Sequence, residues 1–207
     1  MKKFDKLLIG IAFSPNLKSN IFEAVRLANM FDAELVGVHV GTKSDEKKTA
    51  LKALLSEANP LKKPFKAIWK EGNPVNVILE TTISEKIDLL ILGAIQKENL
   101  FKYYVGSIAR KITRKAPCSV LLLIKPSIVR VACKHIVVNG LKDPKTEQTI
   151  KVAFYVGKQL KAEKTLELKN YVKSLKEFDL VTGVKRQDNT YLHFKNDSEH
   201  LIVRMSP

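Results

Sequence analysis

Gly106-Ser107 is the pair in this sequence best suited to holding a small anion. It stands between a polar stretch and a segment in which Val105, Ile108, Ala109 and Ile112 recur at helical spacing, so Ser107 falls at a helix start. A first helical turn carries unpaired N–H groups and a partial positive charge, and both attract phosphate. Glycine lets the anion approach the backbone, while the serine hydroxyl adds a donor. The same pair also serves as an ordinary N-cap, so its meaning depends on what surrounds it.

The other chemically capable side chains are dispersed. Lys97, Lys102, Arg110 and Lys111 flank the anion candidate and read as ordinary solvated side chains, the alternative being that they compensate electrostatically for lost contacts there. Tyr103 and Tyr104 read as packing residues, and His39, near the end of an apolar run, as a structural histidine. No serine or cysteine can be matched with a base, so the sequence predicts no catalytic residues and no enzyme. Cys118 and Cys133 lack metal-ligand spacing and give no disulfide framework, which predicts no metal site and a reducing, cytoplasmic setting.

The elements that must position these residues alternate. Leu7 to Ile11 is a short apolar run suited to a strand covered on both faces, and Ser14-Pro15-Asn16 breaks it. Ser19 to Phe31 carries Ile21, Val25 and Ala28 on one helical stripe, and Ala33 to Val40 is a second strand. Leu51, Leu54, Leu55 and Ala58 mark a helix between Asp45 and Asn59, and Pro64 to Trp69 a third strand. Gly72-Asn73-Pro74 turns into a helix striped by Val75, Ile78, Leu79 and Thr82, since proline suits a first helical turn. Leu89 to Gly93 and Ser119 to Ile124 complete five strands. Strand-helix alternation implies right-handed crossovers and a parallel sheet with helices on both faces. Its ligands bind beyond the carboxyl ends of the strands, here the loops after Ile11, Val40 and Gly93.

Bulk properties agree with a globular α/β protein. The 207 residues are 45% hydrophobic and 28% charged, and no apolar run approaches the ~20 residues that span a bilayer. The basic start before Leu7 is interrupted by Asp5 and Lys6, which favours a first strand over a secretory leader. A net charge of +15 is spread over both halves. That implies non-specific attraction to polyanions and weak attraction to anionic membranes, without a dedicated nucleic-acid site.

Three segments together resemble the carboxyl-terminal signature of universal stress proteins: Ile87-Asp88-Leu89-Leu90-Ile91-Leu92-Gly93-Ala94, then Val105 to Ile112, then Ala116-Pro117-Cys118-Ser119-Val120-Leu121-Leu122. Lys6 to Ile11 with Ser14, and Glu34 to Val40, resemble the family's first two strands. The likeness covers about residues 4–125 and implies an adenine-nucleotide alpha-hydrolase-like fold. In ATP-binding members a glycine, two residues, a second glycine, nine residues and a glycine with serine or threonine cradle the phosphates; the matching positions here are Gly93, Gln96, Gly106 and Ser107. The resemblance further implies nucleotide contacts at Ser14, at Ile108 and at the backbone of Val40. It places Ala12 where those members hold the nucleoside with an aspartate. ATP binding is therefore expected to be weak or lost, with Ala12 and Gln96 as the degenerate positions.

The rest of the chain suggests a shorter copy. His135 to Val138, a helix over Thr146 to Leu160 and Thr165 to Val172 repeat the opening strand-helix-strand, with Asn139 at the aspartate position. Phe178 to Gly183 parallels the fourth strand, and His200 to Met205 the fifth. The expected organisation is a universal stress protein domain at residues 1–127 and a truncated, degenerate copy at 128–207. The family's pairing of last strands implies an internal pseudo-dimer with Ser119 to Ile124 antiparallel to His200 to Met205, and leaves a further homodimer open. The function implied is that of a non-enzymatic stress or regulatory protein with an unidentified protein partner. The alternatives are an ATP or anion sensor and an accessory module of a membrane transporter.

Overall fold

A computed structural model describes residues 4–93, 107–124, 126, 128–129, 135–139, 146–160, 164–168, 191–196 and 199–204. Its first region runs β1 (Lys6–Ile11), α1 (Leu17–Phe31), β2 (Glu34–Val40), α2 (Asp45–Glu57), β3 (Lys66–Lys70), α3 (Pro74–Ser84), β4 (Leu89–Gly93), α4 (Ser107–Lys115) and β5 (Ser119–Ile124). The second runs β6 (His135–Asn139), α5 (Thr146–Leu160), β7 (Lys164–Leu168), β8 (Tyr191–Asn196) and β9 (Glu199–Arg204). All the strands lie in one sheet ordered β3-β2-β1-β4-β5-β9-β8-β6-β7.

Strands β1 to β5 are mutually parallel, as the alternation with helices requires. Successive side chains of a strand face opposite sides, so each apolar run feeds two cores. Leu7, Ile9, Leu89, Ile91, Leu121 and Leu123 pack beneath α1, whereas Leu8, Leu90, Leu92, Val120 and Leu122 pack beneath α3 and α4. Ile21, Val25 and Ala28 are buried on α1, the stripe their spacing predicts. The α2 stripe is looser: Leu51 and Ala58 are buried, while Leu54 and Leu55 are partly covered.

Local signals set the boundaries. The Ser44 side chain accepts from the Lys47 N–H at 3.2 Å and opens α2, with Asp45 and Glu46 in the positive first turn. Asn73 Oδ1 accepts from the N–H groups of Val75 at 3.0 Å and Asn76 at 3.3 Å, and Pro74 takes the first helical position of α3. Asp88 ties the sheet across the switch in strand order, its carboxylate accepting from the N–H groups of Asp5 and Lys6 at 3.2 and 3.1 Å.

The two regions meet at β5 and β9, which pair antiparallel with Leu122 opposite Ile202, the arrangement anticipated for those segments. On the α1 side, Phe31 stacks on Tyr155 of α5 at 5.6 Å, and Val152 and Val156 join the α1 core. Arg26 pairs with Glu23 at 2.7 Å and donates to the carbonyl of Ile128. In the second region β6 and β7 are parallel around α5, as expected. The strand beside β6 differs from the expectation: it is β8, and it runs antiparallel, forming a hairpin-like pair with β9. The segment 178–183, read as a fourth-strand counterpart, lies outside the described residues.

Candidate functional site

The chain crosses from β1 to β2 on one side and returns to β4 on the other, so β1 and β4 flank the point where strand order reverses. There the connecting segments leave in opposite directions and open a crevice at the carboxyl edge. Ala12, Phe13 and Ser14 follow β1 at this edge and are exposed. Ser14 shapes the turn into α1: its N–H donates to the Ala12 carbonyl at 2.8 Å, and its own carbonyl accepts from Leu17 at 2.9 Å. Val40, half-buried, ends β2, and the Gly41 N–H donates to the Lys70 carbonyl at 2.9 Å.

Gly93 ends β4, and its lack of a side chain has a steric cause. A Cβ there would strike the amide of Asn20, which leans over it from the first turns of α1. The Oδ1 atom of Asn20 is buried and has no hydrogen-bond partner among the described residues. Sequence reasoning overlooked Asn20; the signal was a polar residue beside Ile21 on the face that also carries Leu17 and Ala24.

Helix α4 leads into β5, which parallels β4, so α4 runs against the strands and starts at the carboxyl edge. Ser107 is the first described residue of α4 and is exposed. Ile108 is 48% exposed instead of continuing the buried stripe, which passes through Ile112 and Thr113. With no acid in its first turn and Arg114 and Lys115 in its last, α4 keeps its dipole uncompensated at the start and favoured at the end. Ser14, Val40, Gly93, Ser107 and Ile108 therefore share one edge of the sheet. Gln96, Gly106, Lys97, Lys102, Tyr103, Tyr104 and Cys133 lie outside the described residues.

A second group at this edge was not foreseen as a unit. Ile11, His39 and Trp69 are cross-strand neighbours on β1, β2 and β3. Phe13 folds back onto the last two, its ring 5.0 Å from His39 and 6.3 Å from Trp69. His39 is buried, and its Nδ1 lies 3.0 Å from the Ile11 carbonyl. A carbonyl can only accept, so Nδ1 bears the proton and Nε2 presents a lone pair. That lone pair faces Lys47 Nζ at 3.4 Å. Among the described residues no group of three or more His, Cys, Asp or Glu gathers as a metal site would require. No described helix is long and apolar enough to cross a membrane.

Comparison with known proteins bears on this architecture. The universal stress protein family model matches residues 41–123. A universal stress protein of Methanocaldococcus jannaschii is 28% identical over 122 residues, covering 50% of this chain and 72% of that one. A universal stress protein of Methanothermobacter thermautotrophicus is 31% identical over 72 residues, covering 35% of this chain and 48% of its own length. Among solved structures, a universal stress protein from Lactobacillus plantarum superposes with a TM-score of 0.50 at 20% identity, over 59% of this chain and 99% of that chain. The five-stranded parallel sheet with its helices is thus a universal stress protein fold.

Proposed function

We propose that this chain is a non-enzymatic regulator of the universal stress protein type, whose nucleotide crevice has lost most of its affinity for ATP. One observation carries the reading: at the strand-order switch of a sheet with this topology, the residue that follows β1 is Ala12, and neither it nor Phe13 or Ser14 carries a carboxylate. A charge-assisted hydrogen bond is worth roughly 1.5–3 kcal/mol. At about 1.4 kcal/mol per factor of ten, its loss weakens ATP on the order of tenfold to a hundredfold. Ser14, the Val40 backbone, Gly93, Gly106, Ser107 and Ile108 are the positions we assign to residual nucleotide or anion contacts. Titration calorimetry with ATP and magnesium, repeated on Ser107→Ala, tests this. Weak heat that the substitution abolishes supports a residual sensor, full-strength binding overturns the reading, and silence at millimolar ATP leaves a regulator without nucleotide.

We further read residues 1–127 and 128–207 as two copies of one plan, the second truncated and degenerate. A half-turn about an axis normal to the sheet between β5 and β9 carries β5, β4, β1 and β2 onto the places of β9, β8, β6 and β7. It also sends α1 to the side of the sheet where α5 packs. The correspondence is of position; β8 runs opposite to the direction that β4 would impose. In this reading β5 and β9 form the joint of an internal pseudo-dimer, in a cytoplasmic protein whose further partners act through its surface.

A further inference from the structure

We propose that Phe13, His39, Trp69 and Lys47 form a binding site for a small aromatic carboxylate, its ring lying against Trp69 and Phe13 and its acid on the Lys47 ammonium. The site lies at the ends of β1, β2 and β3, beside the Ser14 and Val40 positions assigned to nucleotide contacts and apart from the Gly93 and Ser107 positions on β4 and α4.

The geometry of the rings comes first. Phe13 and Trp69 face each other at 23° with centroids 6.3 Å apart, the wide end of the ~4.5–7 Å range in which aromatic pairs attract. His39 stands edge-on to both, at 84° to Phe13 and 67° to Trp69, and closes the space between them from below. Phe13 is 37% exposed on a loop, so its ring can move aside without disturbing a strand. Two flat apolar walls over a polar-edged floor suit a flat ring.

The charge comes second and independently. Lys47 does not extend into solvent. Its Nζ donates to the Thr42 carbonyl at 2.9 Å, faces His39 Nε2 and lies 5.8 Å from the Phe13 centroid. Among the described residues it forms no ion pair, whereas its neighbour Lys48 is bonded to Asp45 at 2.6 Å. Because Ile11 fixes the His39 proton on Nδ1, the imidazole holds the ammonium as an acceptor. Gly41, at φ 143°, keeps the approach open, since a Cβ there would sit 3.2 Å from His39 Nε2. The result is a positioned cation beside aromatic faces, without a counterion among the described residues. One ammonium matches one negative charge, which favours a carboxylate over a doubly charged phosphate.

Trp69 is the only tryptophan in the chain, so tryptophan emission reports this site alone. Benzoate should alter that emission at least tenfold more tightly than benzyl alcohol, which lacks the charge, or cyclohexanecarboxylate, which lacks the flat ring. Lys47→Gln should remove the preference for benzoate over benzyl alcohol, and Ser107→Ala should leave it unchanged. Equal responses to the three compounds, a preference surviving Lys47→Gln, or one lost in Ser107→Ala would each overturn the proposal. Failure of ATP to bind would touch only the nucleotide reading.

Discussion

The strands before residue 125 and those after 134 share a sheet but are built by different rules. In the first region every strand is parallel to its neighbours, each crossover is a helix, and apolar side chains fill cores on both faces. Among the described residues of the second, β6-α5-β7 keeps that pattern, and β8 and β9 close it by antiparallel pairing. An antiparallel pair needs a short connection and a parallel pair a long one. A region too short for further crossovers can therefore still supply a strand to the β5 edge. Its described strands do not include parallel strands diverging at a switch in order, which a carboxyl-edge crevice requires.

The comparison breaks first at the joint. A chain ending at residue 127 should retain the first region's cooperative melt yet self-associate through β5, because an unpaired apolar strand templates pairing. A monomer by light scattering at micromolar concentration would show that β9 does not protect that edge. Next, Ile91→Ala, at a fully buried site of the α1 core, should cost about 2–5 kcal/mol in denaturant unfolding. Since Val152 and Val156 share that core, a probe on α5 should report the same midpoint. Separate transitions would mean two regions that fold apart.

Restoring the acid sharpens the contrast between the two regions. Ala12→Asp should strengthen ATP on the order of tenfold to a hundredfold. Asn139→Asp, at the matching end of β6, should change nothing, because β8 cannot complete a parallel crevice there. Gly93→Ala should cost about 1–3 kcal/mol as the new methyl meets Asn20, and adding Asn20→Ala should recover most of it in a double-mutant cycle.

The smallest effect is electrostatic. Hydrogen bonds from Lys66 and then Lys6 hold the Glu85 carboxyl below its ordinary value of 4.5. A carboxylate whose folded pKa is depressed contributes above its unfolded pKa and loses that contribution as pH falls through the folded one. Glu85→Gln should therefore flatten the stability profile below about pH 4.5, by the roughly 0.2–1 kcal/mol typical of exposed pairs. An unchanged slope would remove that linkage.

Much of the first region was legible because its signals are local. Apolar runs bounded by breakers, the Ile21-Val25-Ala28 stripe and the Asn73-Pro74 start each act within a few residues. The placing of Ser107 at a helix start follows from the same kind of pattern. Asn20 over Gly93, and Phe13 over His39 and Trp69, depend on register between strands far apart in sequence, which no window displays. Strand β8 was not legible because the repeat of the first region's connectivity implies a parallel strand beside β6, and β8 is antiparallel to it. The weak alternation of Tyr191 to Asn196 could not correct that expectation.

The β5–β9 ladder also makes the joint independent of how much protein is present. Two separate chains meeting edge to edge come apart on dilution, whereas strands tethered by one backbone meet at an effective concentration that for short flexible tethers is of millimolar order. Scarce or abundant, each molecule closes its own β5 edge, so that contact does not follow the supply of protein.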